Sequence, residues 1–155
     1  KIAKQNAELN KVHINFVEQD ILMSNSVNVI ANKMKQSVIK SEIATSQTPR
    51  KDIKFDIIVS NPPYVRELEK KEIHPNVLEN EPHLALFVDD NNPLIFYKKI
   101  AKIAKTHLNK NGKLFFEINQ YLGKEMTTML TDLGFKTELK KDIFGNDRMT
   151  KSTLL

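Results

Sequence analysis

The feature that most restricts the fold is an apolar segment that stops abruptly at two prolines. Phe55 to Ser60 has the composition of a strand buried in a parallel sheet, and Asn61-Pro62-Pro63-Tyr64 follows it directly. Because proline has no N–H to donate to a sheet ladder, the strand must end before this motif. The sequence therefore predicts a strand whose carboxyl end holds an asparagine side chain on a stiff piece of backbone.

Predicted helices and strands alternate along the rest of the chain. Before the motif we expect a helix ending near Asn10, a strand over 12–18 leading to Asp20, a helix over 27–39 with a polar loop over 41–51, and the strand over 55–60. After it we expect an irregular segment over 65–92, a helix from Pro93 closed by Asn111-Gly112, and a strand over 113–118. The chain should end with a helix over 122–133, closed by Gly134, and with strands over 135–143 and 148–154 around a Gly145-Asn146 turn. This alternation predicts an α/β fold with a mostly parallel sheet and an antiparallel hairpin at its C-terminal end.

Polar side chains fall where three of the predicted strands end. They are Asp20, Asn61 and the segment from Glu117 to Asn119. In open α/β sheets, ligands bind beyond the carboxyl ends of the parallel strands. We therefore expect a binding site at this edge of the sheet.

The Asn-Pro-Pro-Tyr motif offers hydrogen-bond acceptors that suit a planar nitrogen. The side-chain oxygen of Asn61 and the carbonyl of Pro62 are neutral acceptors for the two N–H groups of an amide or aryl amine. Pro63 restricts Pro62 to extended geometry, and Tyr64 offers a ring against which a planar group can pack. Because these bonds strengthen as positive charge develops on the nitrogen, the motif predicts group transfer to an amine or amide.

Composition narrows the class of protein without deciding the substrate. The 155 residues include no cysteine and hold no apolar run of membrane-spanning length, which suits a cytoplasmic protein that does not enter a membrane. The four histidines lack metal-ligand spacing, so no metal site is expected. The net charge of +5 suits an acidic partner, but the lysines are scattered, which favours a solvated surface over a nucleic-acid groove.

Several segments, in their order and spacing, resemble the HemK/PrmC family. They are Ser60 to Tyr64, Asn80 to Leu86, Phe96 to Ile100, Gly112 to Ile118 and Lys141 to Arg148. Members of that family transfer a methyl group from S-adenosylmethionine to N5 of the glutamine in the Gly-Gly-Gln motif of peptide-chain release factors. The resemblance implies a class I methyltransferase fold, S-adenosylmethionine as cofactor and a release factor as protein partner. It implies contact with nucleic acid only indirectly, through the ribosome.

The resemblance also implies which residues bind the acceptor. Asn61 and Pro62 would hold the glutamine amide at the reacting centre. Tyr64 would pack beside that amide, and Pro63 would complete the substrate-binding wall. Glu81 would belong to a loop over the substrate entrance.

For the cofactor, the resemblance implies Asp20 at the adenine end, Ile21 beside the same base and Asn61 next to the methyl donor. Neither the family's Gly-rich loop nor its ribose-binding acid has a counterpart in this sequence, and all four glycines follow the motif. Residues 25–54 are also longer than the usual connection. We therefore expect 1–155 to be the C-terminal part of a methyltransferase domain. It would be a partial Rossmann-like fold without its first two strands, carrying an inserted helix and loop at about 25–54.

Two other functions stay open from the sequence. The same motif is typical of enzymes that methylate adenine N6 or guanine N2 in nucleic acids. The other hypothesis is that the chain is truncated and inactive alone, and acts as a non-catalytic fragment or assembly module. An incomplete sheet would have to leave a gap, re-pair its strands or borrow an edge from a second copy, so self-association is a further expectation.

Overall fold

The computed structural model describes residues 2–23 and 54–155, and the chain divides into two compact units, Lys1–Ile53 and Lys54–Leu155. In the first unit, helix α1 covers Ile2–Leu9. The Val12 N–H donates to the Ala7 carbonyl at 3.0 Å and closes the helix, so the prediction of a helix ending near Asn10 is confirmed. The helix predicted over 27–39 and the loop predicted over 41–51 lie outside the described residues.

The strand predicted over 12–18 is wrong for the residues that the structure describes. Val12, Ile14 and Phe16 alternate as strand residues do, yet the segment contains no β-structure and the three side chains are 51%, 50% and 39% exposed. A strand exists only where its backbone groups pair with a neighbour. Neither sheet among the described residues includes this segment, so its alternating pattern lacks the partner that would make it a strand.

The second unit carries the elements that surround the Asn-Pro-Pro-Tyr motif. In chain order they are β1 (Phe55–Ser60), β2 (Val65–Arg66), a 3₁₀ helix (Glu67–Glu72), α2 (Pro75–Asn80), α3 (His83–Leu86), β3 (Phe87–Val88), α4 (Ile95–His107), β4 (Leu108–Glu117), α5 (Gly123–Asp132), β5 (Phe135–Lys141) and β6 (Asp147–Leu154). The predicted α/β class is confirmed.

The main sheet has the strand order β1-β4-β6-β5. β1 pairs in parallel with β4, and β6 is antiparallel to both β4 and β5, so β1, β4 and β5 share one direction. This confirms the mostly parallel sheet and the C-terminal antiparallel hairpin. Ser60 pairs with Phe116, which places the motif after β1 beside the end of β4.

The core of the second unit lies between this sheet and helices α4 and α5. Leu114 and Phe116 of β4 are fully buried, and the ring of Tyr97 from α4 meets the ring of Phe116 edge-on at 5.1 Å. Met126 and Leu130 fill the same layer from α5. This packing fixes β4 and, through the β1–β4 ladder, the strand that carries the motif.

Three details of the second unit differ from the sequence-based expectations. Asn111-Gly112 lies inside β4 rather than closing a helix, because the chain is already extended and paired from Leu108; the missing side chain of Gly112 lets the Phe55 carbonyl approach. The segment 65–92 is not irregular throughout. A proline opens α2 at its first turn, where it costs no hydrogen bond.

The third difference concerns the burial of β1. Ile57 and Val59 are 59% and 73% exposed in the described structure, although the apolar composition predicted a strand covered on both faces. Among residues 2–23 and 54–155, β1 is the edge strand of the four-stranded sheet and β4 is its one paired neighbour. A continuous apolar run therefore indicated parallel pairing correctly, but it did not indicate how much of the strand is covered.

Candidate active site

Asn61 stands at the carboxyl end of β1, directly after the last residue that pairs with β4. Its side chain is exposed, whereas Pro62 is buried and Pro63 and Tyr64 are half-buried. The buried proline anchors the motif while the amide of Asn61 stays accessible. The strand thus ends where the sequence predicted.

Three hydrogen bonds hold Tyr64. Its hydroxyl donates to Oε1 of Glu117 at 2.9 Å, its N–H donates to the Leu86 carbonyl at 3.2 Å, and its carbonyl accepts from Nδ2 of Asn119 at 3.1 Å. Glu117 is the last residue of β4 and Asn119 follows just beyond it, and both are more than fifty residues from Tyr64 along the chain. The ring and the backbone of Tyr64 are therefore fixed by the sheet edge.

The environment keeps the Tyr64 hydroxyl protonated. Burial, together with the hydrogen bond and the negative charge of Glu117, raises the pKa of Tyr64 above its ordinary value of 10.0, while Arg148 opposes the shift. The pKa of Tyr97 is also raised, chiefly by burial, and its hydroxyl donates to the Glu117 carbonyl at 2.9 Å. Both tyrosines therefore act as hydrogen-bond donors near neutral pH.

A cavity of about 400 Å³ opens beside the motif. One wall is formed by residues 61–65 and a second by residues 72–74, and side chains from α2 and α3 complete the lining. Glu81, between those two helices, is one of the lining residues, so the structure brings it together with Asn61, Pro62, Pro63 and Tyr64 as expected from the sequence. We call this space the acceptor cavity.

The lining of the acceptor cavity is acidic to neutral. Its ionisable residues other than Tyr64 are Glu72, His74 and Glu81, and no lysine or arginine is among the described residues that line it. Oε2 of Glu72 accepts from the Tyr121 hydroxyl at 2.8 Å, and Nδ1 of His74 accepts from the Asn76 N–H at 3.2 Å. Such a lining suits a neutral or cationic group better than a phosphate.

Asp20 and Ile21 belong to the first unit and are not among the residues that line the acceptor cavity. Oδ1 of Asp20 accepts from the backbone N–H groups of Leu22 and Met23, at 2.9 and 3.4 Å. The carboxylate is exposed and Ile21 is half-buried. The turn therefore presents an acid to solvent, and the cofactor role of both residues stays a prediction.

Sequence reasoning did not single out Glu69, which is 4% exposed and lies in the 3₁₀ helix beyond the motif. Its carboxylate is bound by Arg66 and by Asn119. The Arg66–Glu69 spacing of three residues was visible in the sequence as a local ion pair. The link to Asn119 had no sequence signal, since it joins residues fifty positions apart.

Within residues 2–23 and 54–155, no group of three or more histidine, aspartate or glutamate side chains could hold a metal ion. No helix in the same ranges is long and apolar enough to cross a membrane.

Comparison with known proteins identifies relatives over nearly the whole chain. The family model described as Eco57I restriction-modification methylase matches residues 1–138. The release factor glutamine methyltransferase of Flavobacterium psychrophilum is 53% identical over 96% of this chain and 44% of its own length. That of Lactococcus lactis is 34% identical over 96% of this chain and 46% of its own, so the chain spans less than half of these curated relatives.

A solved structure also overlaps with part of the chain. It is a protein-(glutamine-N5) methyltransferase, release factor-specific, from Alicyclobacillus acidocaldarius, with 20% identity and a TM-score of 0.42 over 66% of this chain and 50% of its own. The curated relatives confirm the resemblance to the HemK/PrmC family that the sequence motifs indicated. Release factor glutamine methyltransferases are among its relatives, and the chain belongs to the methylase family that the matching model describes.

Proposed function

We propose that this chain provides the acceptor site of an S-adenosylmethionine-dependent methyltransferase whose target is the glutamine of the Gly-Gly-Gln motif in a peptide-chain release factor. The observation that carries the proposal is the position of Asn61-Pro62-Pro63-Tyr64, fixed at the end of β1 and lining the acceptor cavity. The names of the relatives support the substrate. Release factors act in the cytoplasm, so a cytoplasmic location is part of this proposal.

Each residue of the motif has a distinct role in this proposal. The Asn61 side-chain oxygen and the Pro62 carbonyl accept the two N–H groups of the glutamine amide and hold its nitrogen in place. Pro63 keeps the Pro62 carbonyl in one direction. Tyr64, whose hydroxyl is bound to Glu117, gives the amide a flat surface, and Glu81 is a further lining residue of the cavity. The acceptor bonds strengthen as positive charge develops on the nitrogen, which favours the transition state over the bound substrate.

The cofactor contacts in the proposal are fewer. S-adenosylmethionine, when bound, supplies an electrophilic methyl group on sulfur. Among the described residues, Asp20 and Ile21 are the candidates for its adenine end, and Asn61 for the side that faces the reacting centre. The exposed carboxylate of Asp20, steadied through Oδ1 by the Leu22 N–H, fits an acceptor for an exocyclic amine.

A nucleic-acid amino group is the second candidate acceptor. The matching family model, a restriction-modification methylase, and the net charge of +5 favour it. The lining of the acceptor cavity argues against it, because glutamates 72 and 81 would face a phosphate backbone without a lysine or arginine among the described lining residues. We therefore rank a protein glutamine first.

The experiment that separates the two acceptors offers both to the full-length protein. Labelled S-adenosylmethionine is incubated with a purified release factor, with the same factor carrying glutamate in place of the Gly-Gly-Gln glutamine, and with double-stranded DNA. We expect label on the unmodified factor alone. Label on DNA and none on the factor would replace the first candidate by the second.

A further inference from the structure

The buried carboxylate of Glu69 is the strongest feature outside the motif. Oε2 accepts from the Arg66 N–H at 3.1 Å and from Nδ2 of Asn119 at 2.6 Å. Oε1 accepts from Nε of Arg66 at 2.8 Å and from its Nη2. A carboxylate that is only 4% exposed is stable in the folded chain when it is paired and hydrogen-bonded in this way.

Asn119 joins this carboxylate to the motif. Its Nδ2 donates both to Glu69 and to the carbonyl of Tyr64, and its Oδ1 accepts from the Tyr121 N–H at 2.9 Å. Asn119 is 3% exposed, so water does not compete for these bonds. The amide therefore has one orientation, with its donors toward Glu69 and Tyr64.

The same network reaches Glu72, a second lining residue of the acceptor cavity. The guanidinium of Arg66 lies over the ring of Tyr121 at 5.9 Å, and the hydroxyl of Tyr121 donates to Oε2 of Glu72 at 2.8 Å. Tyr64 belongs to the wall formed by residues 61–65 and Glu72 to the wall formed by residues 72–74. Asn119 thus joins the two walls by its hydrogen bonds to Tyr64 and Tyr121. Glu69 holds both Asn119 and the Arg66 side chain that lies over the Tyr121 ring.

We propose that Glu69 is a positioning residue for the acceptor cavity: with Arg66 and Asn119 it sets the orientation of the Asn-Pro-Pro-Tyr motif and its separation from the wall that carries Glu72. The catalytic meaning of this role rests on the proposed function, while the structural role does not. Because an amide nitrogen must be held in line with the methyl donor, a small shift of either wall lowers the rate of transfer.

Glu69→Gln is the direct test, with Glu67→Gln as matched control. Glutamine has the same shape, but its NH₂ group meets a donor of Arg66 or Asn119 where the carboxylate accepted. Glu67 lies in the same 3₁₀ helix and is exposed. In the full-length protein, we expect Glu69→Gln to lower kcat for release-factor methylation about tenfold, with the Kd for S-adenosylmethionine unchanged. Glu67→Gln should leave kcat and this Kd unchanged.

Hydrogen exchange supplies a readout that does not need activity. Within residues 61–66, the amides of Asn61 and of residues 64–66 carry an exchangeable hydrogen, and their exchange should be faster in Glu69→Gln than in the wild type and unchanged in Glu67→Gln. If the wild type methylates no glutamine, the proposed function fails while the exchange result still tests the positioning role. Exchange in 61–66 that is equal in Glu69→Gln and wild type would overturn the positioning role.

Tyr121→Phe keeps the inference testable if Glu69→Gln does not fold. Tyr121 is 52% exposed, so the variant should fold normally. It removes only the bond to Glu72, and we expect kcat to fall about two- to threefold with unchanged exchange in 61–66. Unchanged kcat in a folded Tyr121→Phe would refute the connection between the two walls.

Discussion

The bond between Tyr64 and Glu117 makes a measurable claim about what holds the motif. Tyr64→Phe removes the hydroxyl that donates to the carboxylate at 2.9 Å and leaves the ring in place. A hydrogen bond to a charged acceptor contributes about 1.5–3 kcal/mol when it is buried, and both side chains here are half-buried. We therefore expect the free energy of unfolding to fall by about 1.5–2 kcal/mol, in the lower part of that range, because water can reach the freed carboxylate.

Urea unfolding of the wild type, Tyr64→Phe and Tyr121→Phe would measure this difference. The Tyr121 hydroxyl also donates to a glutamate, but the residue is 52% exposed, so Tyr121→Phe should cost less than about 0.5 kcal/mol. An equal cost for both variants, or none for Tyr64→Phe, would refute the reasoning.

The pH dependence provides a second check on the same bond. Burial, followed by the interaction with Glu117, raises the pKa of Tyr64 in the folded state. Its contribution to stability is therefore complete below the ordinary pKa of 10.0 and is lost as the pH rises through the folded value. The advantage of the wild type over Tyr64→Phe should shrink above pH 10.0 and stay constant below it.

Three further substitutions test the fold of the second unit. Gly112→Ala would place a Cβ 2.9 Å from the Phe55 carbonyl and should lower the free energy of unfolding by about 1–3 kcal/mol in urea. Gly145→Ala meets no atom within 4 Å, but its φ of +85° disfavours a side chain, so the same urea titration should show a loss of about 1 kcal/mol. Desolvation acts to raise the pKa of Asp142, but two backbone N–H groups of its turn and Arg148 lower that pKa overall. The ionised carboxylate therefore stabilises the folded state above pH 3.8, and this stabilisation is lost as the pH falls through the folded pKa. Asp142→Asn should therefore lower the Tm at neutral pH and not in strong acid, and a Tm difference that is the same at both would contradict this account.

The parts of the fold that could be predicted are those with local sequence signals. Periodic apolar residues and Gly134 predicted α5 and its end, and the Gly145-Asn146 turn predicted the β5–β6 hairpin. The strand expected over 12–18 has the right alternation and lacks a partner among the described residues. Pairing is a property of two segments, so the pattern of one cannot establish it. The single domain with an insertion at 25–54, and self-association, stay predictions.

The motif at the candidate site was predictable from the sequence, whereas the buried network behind it was not. The prolines mark the end of β1, and the motif chemistry pointed to Asn61, which the structure places beside the acceptor cavity. Glu69 was missed because an acid in a lysine-rich segment looks like a solvated side chain. Its burial depends on Asn119, which reaches it only when β4 lies beside β1. Networks that join distant segments become visible only in the folded chain.

The central claim is that Asn61 holds a protein glutamine for methylation. The most direct measurement is mass spectrometry of a release factor after incubation with S-adenosylmethionine and either the full-length wild type, Asn61→Ala or the control Asn111→Ala, an exposed asparagine within β4. We expect one added methyl group on the Gly-Gly-Gln glutamine with the wild type and the control, and a rate about a hundredfold lower with Asn61→Ala. Equal rates for all three proteins, or a methyl group on another residue, would contradict it.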